Sequence, residues 1–324
     1  EQIELLSEVY LPTLTHNPHI LPEPSNSGRE CKLHDVVLFS LNLDISGSMR
    51  ARRPSTFLKD HYTFQIEELN NLVDDPTTYN EAMSSSDTTQ WLGAINEELD
   101  SIKKNDVWEL TALPNGRKVF GCKWVFRKKF KVDGSLEKYK ARLVAKGFTQ
   151  QRGIDFVDTY SSVTKFVSIR ILMAIVAKID LELHQLDVKT AFLNGELKEE
   201  IYMIQPDGFQ NQGNEDKVYK LKKSLYGLKQ SSRQWYLKFH QAILEMGYVV
   251  NPLDHCVYIW KNDDKLAILS LYVDNILLAE NCPDMIIITK TFLAFRFEMK
   301  DMGLATYVQG IRISRDRNSK LLYL

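Results

Sequence analysis

Cysteine is scarce and carries no metal- or disulfide-type spacing. Only Cys31, Cys122, Cys256 and Cys282 occur in 324 residues, with no CxxC pair among them. They read as reduced intracellular thiols, mostly filling cores. No apolar run approaches the roughly 18 residues of a membrane span. The longest strongly apolar stretch, Leu266–Val273, reads as a buried strand, so no membrane partner is expected. A basic leader with an apolar h-region is missing, and with it any visible secretory signal. A Gly-rich phosphate loop is missing as well. The seven histidines follow no HxxxH spacing. His184 and His255 read as strand residues, and none reads as a metal ligand. An excess of either charge is also lacking: 41 Lys plus Arg face 42 Asp plus Glu, for a net −1. Taken whole, that balance argues against a nucleic-acid partner.

What is present changes the last inference. Apolar residues at 44% and charged residues at 26% describe a globular chain, not a collagen-like or low-complexity one. The length suits about two domains or one large one. Summed by segment, residues 1–100 carry about −11, residues 101–150 about +9 and residues 151–324 about +1. An acidic leader thus masks a basic block. Residues 1–75 hold Pro12, Pro18, Pro22, Pro24 and Pro54 among many Ser and Asn. They read as a polyprotein linker, partly disordered, with a short helix near Thr63–Leu72. The chain opens on Glu1 and closes on Leu324 inside an apolar run, so both ends are expected to be cuts within a longer polypeptide.

From Pro76 the periodicities sharpen. Trp91, Ile95, Leu99 and Ile102 recur at helical spacing, with Asp87 placed to cap the helix. Val119–Lys131 reads as a strand, Asp133-Gly134 as a hairpin turn, and Glu137–Phe148 as the return. Ser168–Ile179 reads as a helix capped by Ser168, and Leu183–Val188 as a strand. Arg233–Met246 is an amphipathic helix ended by Gly247. His255–Trp260, Leu266–Val273 and Ile276–Ala279 read as strands, and Pro283–Phe297 as a helix. Ala305–Ile313 and Lys320–Leu324 read as strands. Helices and strands mix without βαβ alternation, which predicts an α+β fold.

Two acidic positions stand out. Asp187 ends a strand, and Asp274 sits at the tip of an apolar hairpin. Carboxylates brought together from two strands can hold divalent cations that activate a hydroxyl and stabilise a leaving oxygen. Either residue alone reads equally as a turn or strand-end residue. The basic block interleaves Lys123, Arg127, Lys128, Lys129, Lys131, Lys138, Lys140, Arg142 and Lys146 with Trp124, Phe126 and Phe130. That composition suits a nucleic-acid strand, by phosphate contact and base stacking, or simply a solvated hairpin face. Lys222, Lys223 and Lys229, read as helical, extend the basic track or only solubilise a helix.

The segment Leu186–Gly195 (LDVKTAFLNG) resembles the first catalytic motif of copia-type retrotransposon reverse transcriptases. Lys140–Gln150 (KARLVAKGFTQ), Gln205–Phe209 (QPDGF) and Leu225–Gln230 (LYGLKQ) are similar to further motifs of that family. So are Trp124–Phe126, Arg233–Tyr236 and Asp254–Tyr258, all in the family's order from about Pro76 onward. The resemblance implies a right-hand polymerase core of fingers and palm over residues 76–324. It implies RNA-directed DNA polymerase activity with Mg²⁺ (Mn²⁺ as an alternative) on deoxynucleoside triphosphates and an RNA or DNA template-primer. Asp187 and Asp274 look like the metal-binding catalytic carboxylates, and Phe192 like the gate that rejects a ribose 2′-hydroxyl. Lys140 and Arg142 look like residues gripping the triphosphate, and Gln205 and Gly208 like a loop positioning the nucleotide. Lys123, Arg127, Lys128 and Lys129 look like nucleic-acid contacts. The parent element would work in cytoplasmic particles.

The chain departs from the pattern at Asn275, where the family carries a second aspartate. Losing a charge about 4 Å from a divalent ion forfeits several kcal/mol at an effective dielectric near 20. Metal affinity and rate are both expected to fall, leaving an impaired enzyme or a non-catalytic nucleic-acid-binding relic. Ser162 and Ser232 stand where the family has Pro, and Glu280 where it has Gly. Pro→Ser, Asp→Asn and Gly→Glu can each arise from one C→T change on either DNA strand. Decay by cytosine deamination is therefore expected; sibling copies differing without C→T and G→A bias would refute it. Only Phe297–Leu324 follows the palm motifs, so the thumb is expected to be incomplete, with no RNase H segment.

Overall fold

A computed structural model describes residues 75–324, apart from Val132. The linker, the helix near Thr63–Leu72 and Cys31 lie outside the described residues. In chain order the elements are α1 (Tyr79–Ser84), α2 (Thr88–Lys104), β1 (Trp108–Thr111), β2 (Val119–Phe120), β3 (Cys122–Phe130) and β4 (Leu136–Ala145). There follow α3 (Phe166–Ile179), β5 (Glu182–Val188), β6 (Glu196–Met203), β7 (Val218–Lys223), α4 (Ser231–Glu245) and β8 (Val249–Asn251). Then come β9 (Asp254–Asn262), β10 (Lys265–Tyr272), β11 (Asn275–Glu280), α5 (Pro283–Arg296) and β12 (Met299–Leu304). Two short ribbons close the chain, Tyr307–Val308 with Ile311–Arg312 and Ser314–Asp316 with Leu321–Tyr323. The mixture is α+β, as expected.

The central sheet is antiparallel, in the order β12-β5-β11-β10-β9-β8. Alternation along its strands sends side chains to two different cores. Leu186, Val188, Ile276 and Leu278 face α4 and α5, packing with Trp235, Phe239 and Leu293. Leu183, Leu277 and Ala279 face α3, against Ile169, Met173 and Val176. The odd-numbered set of β5 and β11 therefore includes Asp187 and Asn275 on the α3 face, paired directly across the two strands.

A third core joins α2, the hairpin β3–β4 and the small sheet β1-β7-β6-β2. The strand period explains the hairpin's two characters. Cys122, Trp124 and Phe126 point inward and are buried, with Trp91 of α2 set edge-on to Phe126 at 5.2 Å. Lys123, Arg127 and Lys129 point the other way, and Lys138, Lys140 and Arg142 share that face through cross-strand pairing. Trp124 and Phe126 are thus core residues, not stacking platforms for bases, which corrects that part of the sequence reading.

Two caps differ from expectation. Asp87 does precede α2, but its carboxylate makes no cap bond and instead accepts from Lys128 Nζ at 2.6 Å. Ser168 lies inside α3. Its hydroxyl donates to the buried Asp254 at 2.6 Å, and Asp254 also accepts from the Lys165 amide at 2.9 Å. A carboxylate from β9 thus satisfies the helix start, a partner that local sequence cannot reveal. β1, β6 and β12 carry too little local signal to be read from the sequence, because each is held by its neighbours' pairing; the expected helix at Lys222, Lys223 and Lys229 is not formed, since Lys222 and Lys223 end strand β7, paired with β1 and β6, and Lys229 lies in a turn.

Candidate active site

Asp187 reaches the cleft because β5 lies between β11 and β12. Its cross-strand neighbours are Asn275 on one side and Lys300 on the other. Asp274 arrives by the two-residue turn joining β10 to β11, whose carbonyl accepts from the Val188 amide at 2.8 Å. Val273, the other turn residue, sits at φ +57. A β-branched residue there is strained by roughly 1–2 kcal/mol. The Trp235 indole, donating to the Val273 carbonyl at 2.5 Å, holds the turn in place.

The two carboxylates line one cleft of about 440 Å³ with Lys129, Lys138, Lys140, Arg142, Tyr226 and Lys300. Burial raises the Asp187 pKa, and the neighbouring Asp274 carboxylate raises it further, against the pull of Lys140, Lys129 and Lys300. Two carboxylates that repel each other across a shared space suit a divalent cation between them. Among the described residues no group of three or more His, Cys, Asp and Glu side chains is arranged to hold a metal. Asn275 does not fill that role. Its amide donates to Asp274 Oδ1 at 3.1 Å, and its own oxygen accepts from Gln185 at 3.1 Å. The oxygen is therefore occupied, and one Asp274 lone pair is already engaged.

The other expected site residues divide sharply. Lys140 and Arg142 line the cleft. Burial, and then Arg142, Lys129 and Lys138, push the Lys140 pKa down to about 8. The Arg142 guanidinium stacks on the Tyr226 ring at 4.1 Å. Phe192 does not line the cleft; its ring packs on Tyr226, with centroids 4.9 Å apart. Gln205 and Gly208 are not brought to the cleft at all. Gln205 is buried and uses both ends of its amide on its own loop, donating to the Asn214 and Lys217 carbonyls and accepting from Asn211. Gly208, at φ +82, leaves room for the Tyr79 ring, which a Cβ would meet at 2.2 Å.

The basic contacts divide in the same way. Lys129 lines the cleft, and Lys123 shares its exposed face. Arg127 shares that face too, but pairs with Asp75 at 3.2 Å. Lys128 turns to the core side, paired with Asp87 and set over the Tyr139 ring. Sequence reading missed Tyr226, Lys300 and Glu98 as cleft residues. Tyr226 stood inside a recognised motif without a role. Lys300 and Glu98 had no signal, since only strand pairing and helix packing bring them here.

Two motifs prove to be one joint. The Ala145 amide donates to the Tyr226 carbonyl at 2.8 Å. Gly147 and Gly227 lie back to back: a Cβ on Gly147 would meet the Gly227 oxygen at 2.1 Å. Gln150 and Gln230, both buried, are hydrogen-bonded to each other at 3.0 Å. This joint sets Arg142 against Tyr226.

The chain is similar to known proteins over most of its length. Residues 105–323 match the family described as reverse transcriptase (RNA-dependent DNA polymerase). The chain is 45% identical over 251 residues to the retrovirus-related Pol polyprotein from transposon TNT 1-94 of Nicotiana tabacum, covering 77% of this chain and 19% of that relative. It is 35% identical over 269 residues to the Pol polyprotein from transposon RE1 of Arabidopsis thaliana, covering 83% of this chain and 18% of the relative. It therefore spans less than a fifth of these relatives' length. An uncharacterized mitochondrial protein of Arabidopsis thaliana, AtMg00820, is 44% identical over 90 residues, which are 28% of this chain and 53% of that protein. With Asp187 and Asp274 sharing one cleft and a family match over most of its length, the chain belongs to the copia-type reverse transcriptase family.

Proposed function

We propose that this chain is the fingers and palm of an RNA-directed DNA polymerase, with residues 1–75 a polyprotein linker and residues 76–324 the polymerase core. One observation carries the reading. Asp187 and Asp274, from two strands, share a cleft with the cations of the β3–β4 hairpin. In this reading β3–β4 and α2 belong to the fingers and the six-stranded sheet is the palm.

The reaction is template-directed deoxynucleotidyl transfer. A primer 3′-hydroxyl loses its proton to solvent, and its oxygen forms a bond to the α-phosphorus of a deoxynucleoside triphosphate. The bond from that phosphorus to the bridging oxygen breaks, and pyrophosphate leaves with the electron pair. Asp187 and Asp274 would hold the Mg²⁺ ions, which when bound lower the hydroxyl pKa and neutralise the leaving oxygens. Lys140 and Arg142 offer charge to the phosphates, Arg142 in a plane fixed by Tyr226. Phe192, through Tyr226, shapes the space beside the sugar. Lys123 and Lys129 offer the template-primer backbone a charged face.

Asn275 impairs this enzyme, because it removes one negative charge and ties up an Asp274 oxygen. That hydrogen bond also favours a second reading, a nucleic-acid-binding relic without turnover. Primer extension on a homopolymer template, with Mg²⁺ or Mn²⁺, separates the two when run beside Asn275→Asp. Impairment predicts slow incorporation by the native chain and a faster revertant. A revertant with no incorporation would remove the polymerase reading for this length of chain.

A further inference from the structure

Two amides stand beside the carboxylates of the cleft. Gln185 lies on β5 two residues before Asp187, so both side chains fall on the α3 face of the sheet. Across the strands Gln185 is set opposite Leu277, and Asp187 opposite Asn275, which makes Gln185 and Asn275 diagonal neighbours. Their amides meet. Gln185 Nε2 donates to Asn275 Oδ1 at 3.1 Å, and Asn275 Nδ2 donates to Asp274 Oδ1 at 3.1 Å. Both residues are half-buried, and both line the cleft and a second cavity of about 290 Å³ on the α3 face. With open space on two sides, hydrogen bonds and not packing set the direction of these amides.

That direction follows from Asp274. An ionised carboxylate only accepts, so Asn275 turns its NH₂ toward it. The Asn275 oxygen is thereby left to residue 185, where only a donor satisfies it. The Gln185 amide supplies that donor. It would serve a carboxylate at 275 as well, since it donates to either kind of oxygen.

We infer that Gln185 is a positioning residue for the cleft carboxylates, acting through residue 275. In this chain it holds Asn275 against Asp274 and so keeps one Asp274 oxygen engaged. With a carboxylate at 275 it holds one oxygen of that group and leaves the other free toward the cleft. The same hydrogen bond therefore has opposite consequences for cation binding in the two backgrounds. This inference rests on the reading of Asp187 and Asp274 as a metal site.

The test uses Gln185→Met, which keeps the length of the side chain and removes the donor. Mn²⁺ is titrated calorimetrically into the whole chain, without nucleotide or template. In the native background Gln185→Met should tighten Mn²⁺ binding about threefold, because the Asn275 oxygen loses its partner and the side chain turns away from Asp274. In the Asn275→Asp background the same change should weaken binding about threefold, because the carboxylate at 275 is no longer held. A packing role would move both backgrounds in one direction; that result, or no change in either, overturns the inference. A second readout needs no metal. With ¹⁵N-labelled asparagine, the side-chain amide signals of Asn275, identified by their loss in Asn275→Asp, should shift in Gln185→Met. Unchanged signals overturn the inference whatever Mn²⁺ does. Failure of every variant to bind Mn²⁺ would remove the metal-site reading, and the amide signals would then decide by themselves whether Gln185 positions Asn275.

Discussion

The hairpins β3–β4 and β10–β11 supply opposite charges to one cleft, yet they are secured differently. The basic hairpin is locked to the Tyr226 loop by back-to-back glycines, a buried glutamine pair and a backbone hydrogen bond. The acidic hairpin carries a strained Val273, an amide at 275 and a buried carboxyl at Glu280, five residues on. The basic and acidic halves of one cleft can therefore change separately. The first depends on a joint where no extra atom fits. The second depends on side chains at a turn, which can be altered without unfolding the sheet.

The largest effect should come from breaking the basic hairpin's lock. Gly227→Ala places a Cβ 2.2 Å from the Ala145 oxygen at φ +90, and should cost roughly 4 kcal/mol or more in urea unfolding. A loss below about 1 kcal/mol would mean the joint is looser than described.

The acidic side should instead gain from change. Glu280 is fully buried; among the described residues one of its oxygens has no partner, and the other is shared with Tyr248 and Thr289. Burial pushes its pKa up to about 7 from an ordinary 4.5. Folding thus favours the protonated form. The ionisation penalty is absent below about pH 4.5, and stability falls as pH rises through about 7, by about 3 kcal/mol in all. Glu280→Gln should abolish that fall. A native chain equally stable at pH 5 and pH 8, once other titrations are matched in the variant, would contradict this.

Asn275→Asp should raise the primer-extension rate by about a hundredfold in Mg²⁺, and an unchanged rate would place the defect elsewhere. Smaller still, Val273→Gly should stabilise the turn by about 1 kcal/mol in thermal unfolding. Destabilisation would show that Val273 packing outweighs its backbone strain. Least of all, Lys128→Ala should leave nucleic-acid affinity and its salt dependence nearly unchanged, since Lys128 faces the core and is paired. Lys129→Ala should lower both by about one phosphate contact.

Much of the molecule was legible before its structure. Gly247 ends α4, Asp133-Gly134 turns the basic hairpin, and alternation marked β5, β9, β10 and β11. These signals are local, resting on glycine's freedom at positive φ and on the pleat's period of two. Asp187 and Asp274, which share one cleft, stood out because each stands at the end of such an element. Lys128, Gln205 and Gly208 do not line the cleft, because neither a place in the basic block nor membership of a motif says which face a side chain takes.

By itself the sequence determined the α+β class, the family, the basic block hidden in a charge of −1 and the amide beside Asp274 at Asn275. Those follow from residue identity and short-range order. Tertiary structure alone decided that Lys300 flanks Asp187, that Tyr226 stands between Arg142 and Phe192, and that Asp254 caps α3. Each of these joins residues far apart in the chain. Their meeting is fixed by strand order and by burial of two sheet faces, and no local pattern encodes either.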